Sequence, residues 1–328
     1  MRLQILGVKL ILFLGFIIGL IALTQWRARA RESAAEARHP PIGEIIMVGG
    51  VAVHVHMSGS GPDLVLIHGA SGNLRDFTFE FSQRLIDRYR VIAFDRPGLG
   101  WSGRSPDNKG AWNTTSETPQ EQAGVLQKAA DQIGVTNPIV FGHSYGGAVA
   151  LAWGLSRLND TAALVLVSAA TEPWPGSLGW LYQATSSSLG GAVMIPLVTA
   201  FLPASAVDAS ANAIFAPQAP PDGYTDYLGT GLTLRRESTR ANAQQVNGLL
   251  PYIIEMKKQY GMLTMPIEMV HGDMDTIVPA FIHAQVLMQD VPNGMLTMLP
   301  GLGHMPHHTD PSAVVDAVER AAARAGLR

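Results

Sequence analysis

Residues 139–147 read Ile-Val-Phe-Gly-His-Ser-Tyr-Gly-Gly, and no other stretch constrains the chain as much. A short apolar run leads into Gly142, His143, Ser144, Tyr145 and Gly146, and a helix-forming run follows at 148–158. This is the G-x-S-x-G pattern in the strand–turn–helix setting its chemistry requires. A serine hydroxyl is a poor nucleophile on an ordinary surface. A sharp turn at the end of a strand would hold its Oγ out, and the next helix would aim its N-terminal amides and positive dipole end at the reacting oxygen. Gly142 and Gly146 are the residues expected where strand and helix approach without room for a Cβ.

Composition narrows what surrounds that turn. The chain has 328 residues, 47% of them apolar and 15% charged, enough for a sizeable core. A net charge of -3 without a basic block disfavours nucleic acid as a partner. The absence of cysteine removes disulfides, thiolate catalysis and thiolate metal sites.

The N-terminus reads as something apart from the fold. Residues 10–23 are apolar and free of charge, with Arg2 and Lys9 before them and Trp26 placed as an interfacial aromatic. As a helix, 8–26 would span roughly 28 Å, close to the thickness of a bilayer core. An uncleaved single-pass anchor over 1–26 is expected, with a cleaved signal peptide ending at Ala28-Arg29-Ala30 as the alternative. Residues 27–43, polar and rich in Ala, Arg and Glu, read as a linker. Positive charge flanks the apolar run on both sides, so orientation in the membrane stays open.

From residue 44 the pattern is β, then alternating β and α. Runs 44–48 and 51–57 form a hairpin about Gly49-Gly50. Strands are expected at 64–67, 91–94, 139–143, 163–168, 267–271 and 295–299. Helices are expected at 79–88, from the Thr118-Pro-Gln-Glu121 capping box to 133, at 148–158, 280–289 and 311–325. Short apolar strands between helices imply an α/β fold with a mostly parallel sheet covered on both faces. Residues 171–247 break the alternation; they read as a helical insertion, and from Pro173 to Pro221 the only charge is Asp208.

A serine nucleophile needs a base, a group that orients the base, and donors for the oxyanion. Each stands at a strand end. Asp273 and Asp275 follow the strand at 267–271, with Glu172 as another acid, and His304 follows the last strand on a Gly-flanked loop. The order Ser, acid, His is that stated for α/β-hydrolases. The loop His68-Gly-Ala-Ser-Gly72 could aim the Ala70 amide at the oxyanion, beside that of Tyr145.

On His68-Gly-Ala-Ser-Gly72, Asp95-Arg-Pro-Gly-Leu-Gly-Trp-Ser102, Gly142-His-Ser-Tyr-Gly-Gly147, Gly272-Asp-Met-Asp-Thr-Ile-Val-Pro279 and Gly301-Leu-Gly-His304, residues 44–328 resemble the α/β-hydrolase fold family, in its serine-nucleophile, esterase- and lipase-like branch. The resemblance implies Ser144 as nucleophile, His304 as base, Asp275 as orienting acid, Ala70 and Tyr145 as oxyanion donors, and 171–247 as a cap. It implies no cofactor and no metal. His68, His143 and His271 are expected to bond loop carbonyls, Asp95 and Arg96 to brace their turn, and His307 and His308 to face solvent. His54 and His56 lack a third ligand to make a metal site.

Serine where related branches need Asp favours cleavage of carboxylic esters by way of an acyl-enzyme. Amide, thioester or C–C cleavage, acyl transfer and cofactor-free perhydrolysis use the same triad, and a non-catalytic binding protein on this fold is the reading from another class. Trp174, Trp180, Tyr182, Phe201 and Phe215 are candidates to line an apolar pocket for a lipophilic small-molecule ester.

Overall fold

The computed structural model describes residues 2–176 and 178–328. Eight strands form one sheet in the order β1-β2-β4-β3-β5-β6-β7-β8. These are β1 (Glu44–Val48), β2 (Val51–Ser58), β3 (Asp63–Ile67), β4 (Arg90–Phe94), β5 (Ile139–His143), β6 (Ala163–Val167), β7 (Ile267–Gly272) and β8 (Gly294–Leu299). The first two are an antiparallel hairpin in which Val48 pairs with Val51 across Gly49 and Gly50, both at positive φ. From β4 to β8 every neighbouring pair is parallel, so all those strands present their C-terminal ends to one edge.

The strand residues sort by parity into two cores. On one face Val65, Ile67, Val140, Leu164, Leu166 and Met269 pack with α3 (Pro119–Gln132), α4 (Tyr145–Ser156), α11 (Leu249–Lys257) and α12 (Ala284–Asp290). On the other, Leu64, Leu66, Phe141, Val165 and Val167 pack with Phe77, Phe81, Leu85 and α14 (Pro311–Arg324). This is the burial expected of a parallel sheet, and it explains why the strands read as continuous apolar runs. The capping box at Thr118 and Glu121 forms with both reciprocal bonds.

The helix expected at 79–88 is instead α2 (Arg75–Thr78) followed by a 3-10 turn, Phe81–Arg84. The backbone breaks at Glu80, φ -148° and ψ -34°. Phe77, Phe81 and Leu85 still reach the core, because four-residue spacing serves both arrangements.

Between β6 and β7 the chain is helical: α5 (Trp180–Ser186), a π-helical turn, α6 (Ile195–Phe201), α7 (Ala204–Phe215), α8 (Tyr224–Leu228), α9 (Thr230–Thr233), α10 (Arg236–Asn247) and α11. These helices cover the C-terminal edge of the sheet. Buried polar side chains tie α10 to the core. Arg96 donates to Gln245 at 2.9 Å and to Gln122 at 2.8 Å, and Arg104, paired with Glu117, donates to Gln244 at 2.8 Å.

The N-terminal segment is one helix, α1 (Arg2–Arg38), of 37 residues and about 55 Å. Its apolar part, of mean hydropathy 2.7 over 18 residues, is wholly exposed and long enough to cross a bilayer. The stretch expected as a linker continues this helix as far as Arg38 and is docked on the covering helices: Arg27 donates to the Ala200 carbonyl at 2.7 Å, Arg31 to that of Leu202 at 2.9 Å, and Glu32 pairs with Arg236 at 2.6 Å. The sequence signal for this is helix propensity alone; the partners lie about two hundred residues away.

Candidate active site

The turn after β5 is as tight as its glycines suggest. Ser144 has φ 53° and ψ -120°, a strained conformation for a residue with a side chain. A Cβ at Gly142 would lie 2.4 Å from the Gly146 carbonyl oxygen, and one at Gly146 would lie 2.2 Å from that of Ile67. The strain lifts the Ser144 side chain off the strand end, and its hydroxyl makes no capping bond to α4.

That hydroxyl faces His304. Ser144 Oγ lies 3.0 Å from His304 Nε2, and His304 Nδ1 lies 2.8 Å from Asp275 Oδ2. Asp275 accepts from the amides of Ile277 and Val278 through Oδ1, each at 2.9 Å, and its Oδ2 also lies 3.2 Å from His271 Nε2. Burial pushes its carboxyl up, but the bonds from His271 and His304, the His304 charge and the Val278 amide together hold it well below the usual carboxylate range. The other acids are engaged elsewhere. Asp273 Oδ1 accepts from the Gly301 amide at 2.6 Å. Glu172 pairs with Lys257 at 2.5 Å, and burial pushes its carboxyl up to about 7.

The loop after β3, expected to supply an oxyanion donor, is set by Arg96. Its Nη2 donates to the Gly69 carbonyl at 3.0 Å and its Nε to that of His68 at 2.9 Å. His68 Nδ1 donates to the same Gly69 oxygen at 2.8 Å, while its Nε2 accepts the Arg96 amide at 3.0 Å. In a trans peptide the C=O and N–H point opposite ways. Pinning the Gly69 oxygen inward therefore turns the Ala70 N–H out toward the Ser144 cavity. Among the described residues neither Ala70 nor Tyr145 donates its amide to an acceptor. From the sequence Arg96 is expected only to brace its turn; its grip on the loop of Ala70 depends on β3 and β4 being neighbours. Arg96→Lys, which keeps the charge but loses the fork, is expected to lower kcat by up to about 10²-fold with little change in KM. Steady-state kinetics on a soluble ester decides this, and a pure KM effect would contradict the positioning role.

The imidazoles that do not face Ser144 bond loop carbonyls as expected: His68 to Gly69, His143 to His304 at 3.0 Å, and His271 to Val278 at 2.6 Å. His307 and His308 depart from expectation. The short helix α13 (Pro306–Thr309) turns both rings inward onto Asp76, at 3.1 and 2.8 Å, and Tyr224 donates to the same carboxylate at 2.7 Å. Asp76 is buried, and its charge needs those donors. Asp76, His307 and His308 bring ligand atoms within 4.8 Å of one another, the grouping among the described residues that could hold a metal ion. His54 instead bonds Asp95 at 2.7 Å, which braces the turn after β4 through the Leu74 and Trp101 amides.

Several of these imidazoles make the fold sensitive to acid. Burial pushes His68 and His283 down to about 4, and burial with the neighbouring His307 and His304 takes His143 well below 6.5. Their folded values lie below the unfolded value of 6.5, so the unfolded chain binds protons that the folded chain refuses. Stability is then full above about 6.5 and falls as pH drops toward 4. Glu172, raised, acts the other way but is one group against three. Urea unfolding is expected to give a lower midpoint at pH 5 than at pH 7.5; equal midpoints would mean these rings are protonated in the fold.

A cavity of about 380 Å³ opens over Ser144, walled by Tyr182, Leu202, Ala211, Ile214, Phe215 and Met305 among others. Of the aromatics expected there, Tyr182 and Phe215 line it. Trp174 packs on the core, while Trp180 and Phe201 point outward, 73% and 46% exposed. A larger cavity of about 600 Å³ lies between α1, residues 98–104 and α10, away from Ser144.

The sequence from 64 to 317 matches the profile of the alpha/beta hydrolase family, and the chain belongs to that family. It is similar to an uncharacterized protein of Mycobacterium tuberculosis, 25% identical over 298 residues, covering 86% of this chain and 81% of the relative. Among solved structures it resembles a thermophilic esterase from Thermogutta terrifontis, TM-score 0.68 at 18% identity, covering 86% of this chain and 99% of that one. It also resembles a protein described as a membrane phospholipase A and bacterial virulence factor, TM-score 0.62 at 20% identity, over 100% of this chain and 99% of that one.

Proposed function

We propose that this alpha/beta hydrolase cleaves carboxylic esters with apolar acyl groups, held at a membrane by α1 as an uncleaved anchor. Residues 44–328 are the catalytic domain in this reading, with the helices from about 171 to 247 as its cap. The observation that carries it is the unbroken line Ser144 Oγ, His304 Nε2, His304 Nδ1, Asp275 Oδ2, with spacings of 3.0 and 2.8 Å.

Ser144 Oγ attacks the ester carbonyl while His304 Nε2 takes its proton. The Ala70 and Tyr145 amides bind the oxyanion, and Asp275 stabilises the imidazolium. Collapse expels the alcohol, which leaves with the proton from His304, and Ser144 holds the acyl group. Water then attacks, giving its proton to His304, and the acid is released as Ser144 regains its hydrogen. The cavity wall offers an acyl chain apolar side chains and one carboxylate, Asp76, already engaged by its own donors.

A fluorophosphonate probe should label the protein at Ser144, and p-nitrophenyl esters should show kcat/KM rising with acyl length beyond acetate. Labelling without turnover of any ester would redirect the reading toward another acyl group. Failure to label would leave a binding protein on this fold.

A further inference from the structure

With α1 held in a bilayer as proposed, the cap bonded to it lies close to the membrane. We propose that the outer face of the cap docks onto the bilayer surface, so that the cavity over Ser144 takes its ester from the lipid phase.

The face is a stripe of large apolar side chains left largely exposed among the described residues. Leu189, Val193, Leu197 and Phe201 recur every four residues and are 66%, 47%, 45% and 46% exposed. Trp180 and Leu181, at the start of α5, are 73% and 50% exposed. So many exposed large apolar side chains on two successive helices are unusual on a surface that meets only water. The segment that carries it is almost free of charge, since from Pro173 to Pro221 Asp208 is the only Asp, Glu, Lys, Arg or His; Arg27 lies beside it at the Phe201 end. Seating the face among headgroups and upper acyl chains therefore desolvates almost no charge.

The patch is continuous with α1 at the level where α1 leaves the hydrocarbon. The apolar span ends at Trp26, 67% exposed, and Arg27 follows. Such a Trp and Arg pair marks the lipid–water boundary. The Arg27 guanidinium lies 5.3 Å from the Phe201 ring centre, and its Nε holds the Ala200 carbonyl. Arg31 holds Leu202, and the Glu32–Arg236 and Glu36–Arg235 pairs fix the next turns. Phe201 thus sits at the boundary, with Leu197 and Val193 one and two turns back along the same run. A cap bonded to the anchor at this level has no tether with which to stand clear of the membrane.

The same elements line the cavity. Leu202 faces the cavity where Phe201 faces out, and Tyr182 does so beside Leu181. The wall between lipid and Ser144 is one layer of helix. A lipophilic ester entering there need not cross water, and its acyl chain meets Leu202, Ile214, Phe215 and Met305 in the wall. A second copy of the chain is the competing occupant of the stripe, but nothing in the stripe accounts for its alignment with Trp26 and Arg27.

The chain has no cysteine, so single-cysteine variants can be labelled cleanly on the full-length protein. Leu189→Cys, Val193→Cys and Leu197→Cys would each carry an environment-sensitive fluorophore, in phosphatidylcholine–phosphatidylglycerol vesicles containing a lipid spin-labelled near the headgroup. Leu12→Cys reports the anchor and Met262→Cys, 52% exposed on the side away from the cap, reports solvent. The cap labels are expected to be quenched as the anchor label is, and the Met262 label not. In a second arm, Leu189→Glu with Val193→Glu should raise KM for a vesicle-borne long-chain ester about tenfold. Turnover of soluble p-nitrophenyl acetate should not change, which also shows that the variant is folded. Unquenched cap labels beside a quenched Leu12 label would overturn the docking face and leave the anchor standing. An unquenched Leu12 label would overturn the anchor and the docking face together. Disulfide crosslinking between copies at Val193→Cys, with no lipid quenching, would assign the stripe to a protein interface and overturn the proposal.

Discussion

Ser144→Ala is expected to abolish ester hydrolysis, with a loss of kcat/KM on the order of 10⁴-fold or more, while the protein keeps its fold. Both halves follow from the same contacts. Among the described residues, the only hydrogen bond the hydroxyl makes is to His304 Nε2, at 3.0 Å. It does not cap α4, and the strained backbone at φ 53° is set by the glycines around it and by the β5–α4 packing. Removing one oxygen therefore costs little stability, within about 1 kcal/mol, and thermal unfolding should be close to that of the parent. The Ala70 and Tyr145 amides proposed as oxyanion donors belong to the backbone and remain, so a small residual rate over water is expected. More than a tenth of the parent kcat/KM in the purified variant would mean that another residue attacks.

The sheet and the residues around Ser144 were legible in the sequence because their signals are local. A parallel strand buried on both faces is a short apolar run. The end of each such run fixes where a loop residue must stand, so Ser144, His304 and the acids could be placed at one edge before any contact was known. The choice among acids was less legible. Asp273 and Asp275 are two residues apart on one loop; the family resemblance favours Asp275, and the contact with the β8 loop sets it against His304. What the sequence hid was long-range. Arg96 grips the loop of Ala70 because β3 and β4 are neighbours in the sheet. His307 and His308 look like solvent-facing residues until Asp76, more than two hundred residues earlier, is found beneath them. Residues 1–26 read as an anchor followed by a polar linker, yet Glu32 and Glu36 of that stretch meet Arg236 and Arg235 of the covering helices. Tyr182 and Phe215 line the cavity as expected, but Trp180 and Phe201 do not, for a related reason. Composition says that Trp180 and Phe201 seek an apolar setting, but not on which side of a thin wall they find it.

Asp275→Asn is expected to cost about 10³- to 10⁴-fold in kcat/KM, and Asp273→Asn less than about threefold. The difference lies in what each carboxylate accepts. Asp273 Oδ1 receives the Gly301 amide, and an asparagine carbonyl receives it equally well. Asp275 accepts on both oxygens. The Ile277 and Val278 amides fix Oδ1 as the acceptor, so in the variant the NH2 group must take the place of Oδ2. There it would face His304 Nδ1 at 2.8 Å and His271 Nε2 at 3.2 Å. His271 Nε2 donates its proton to the Val278 carbonyl, so it can turn away from the carboxamide. His304 has no such alternative. To accept from the new NH2 group it must carry its proton on Nε2, the atom that has to take the Ser144 proton. The variant would thus hold the base in the wrong tautomer in an otherwise intact site. Fluorophosphonate labelling should slow in parallel with turnover, because both require the same proton transfer. A larger loss in Asp273→Asn than in Asp275→Asn would move the orienting acid to Asp273 and would require the His304 loop to rearrange when substrate binds.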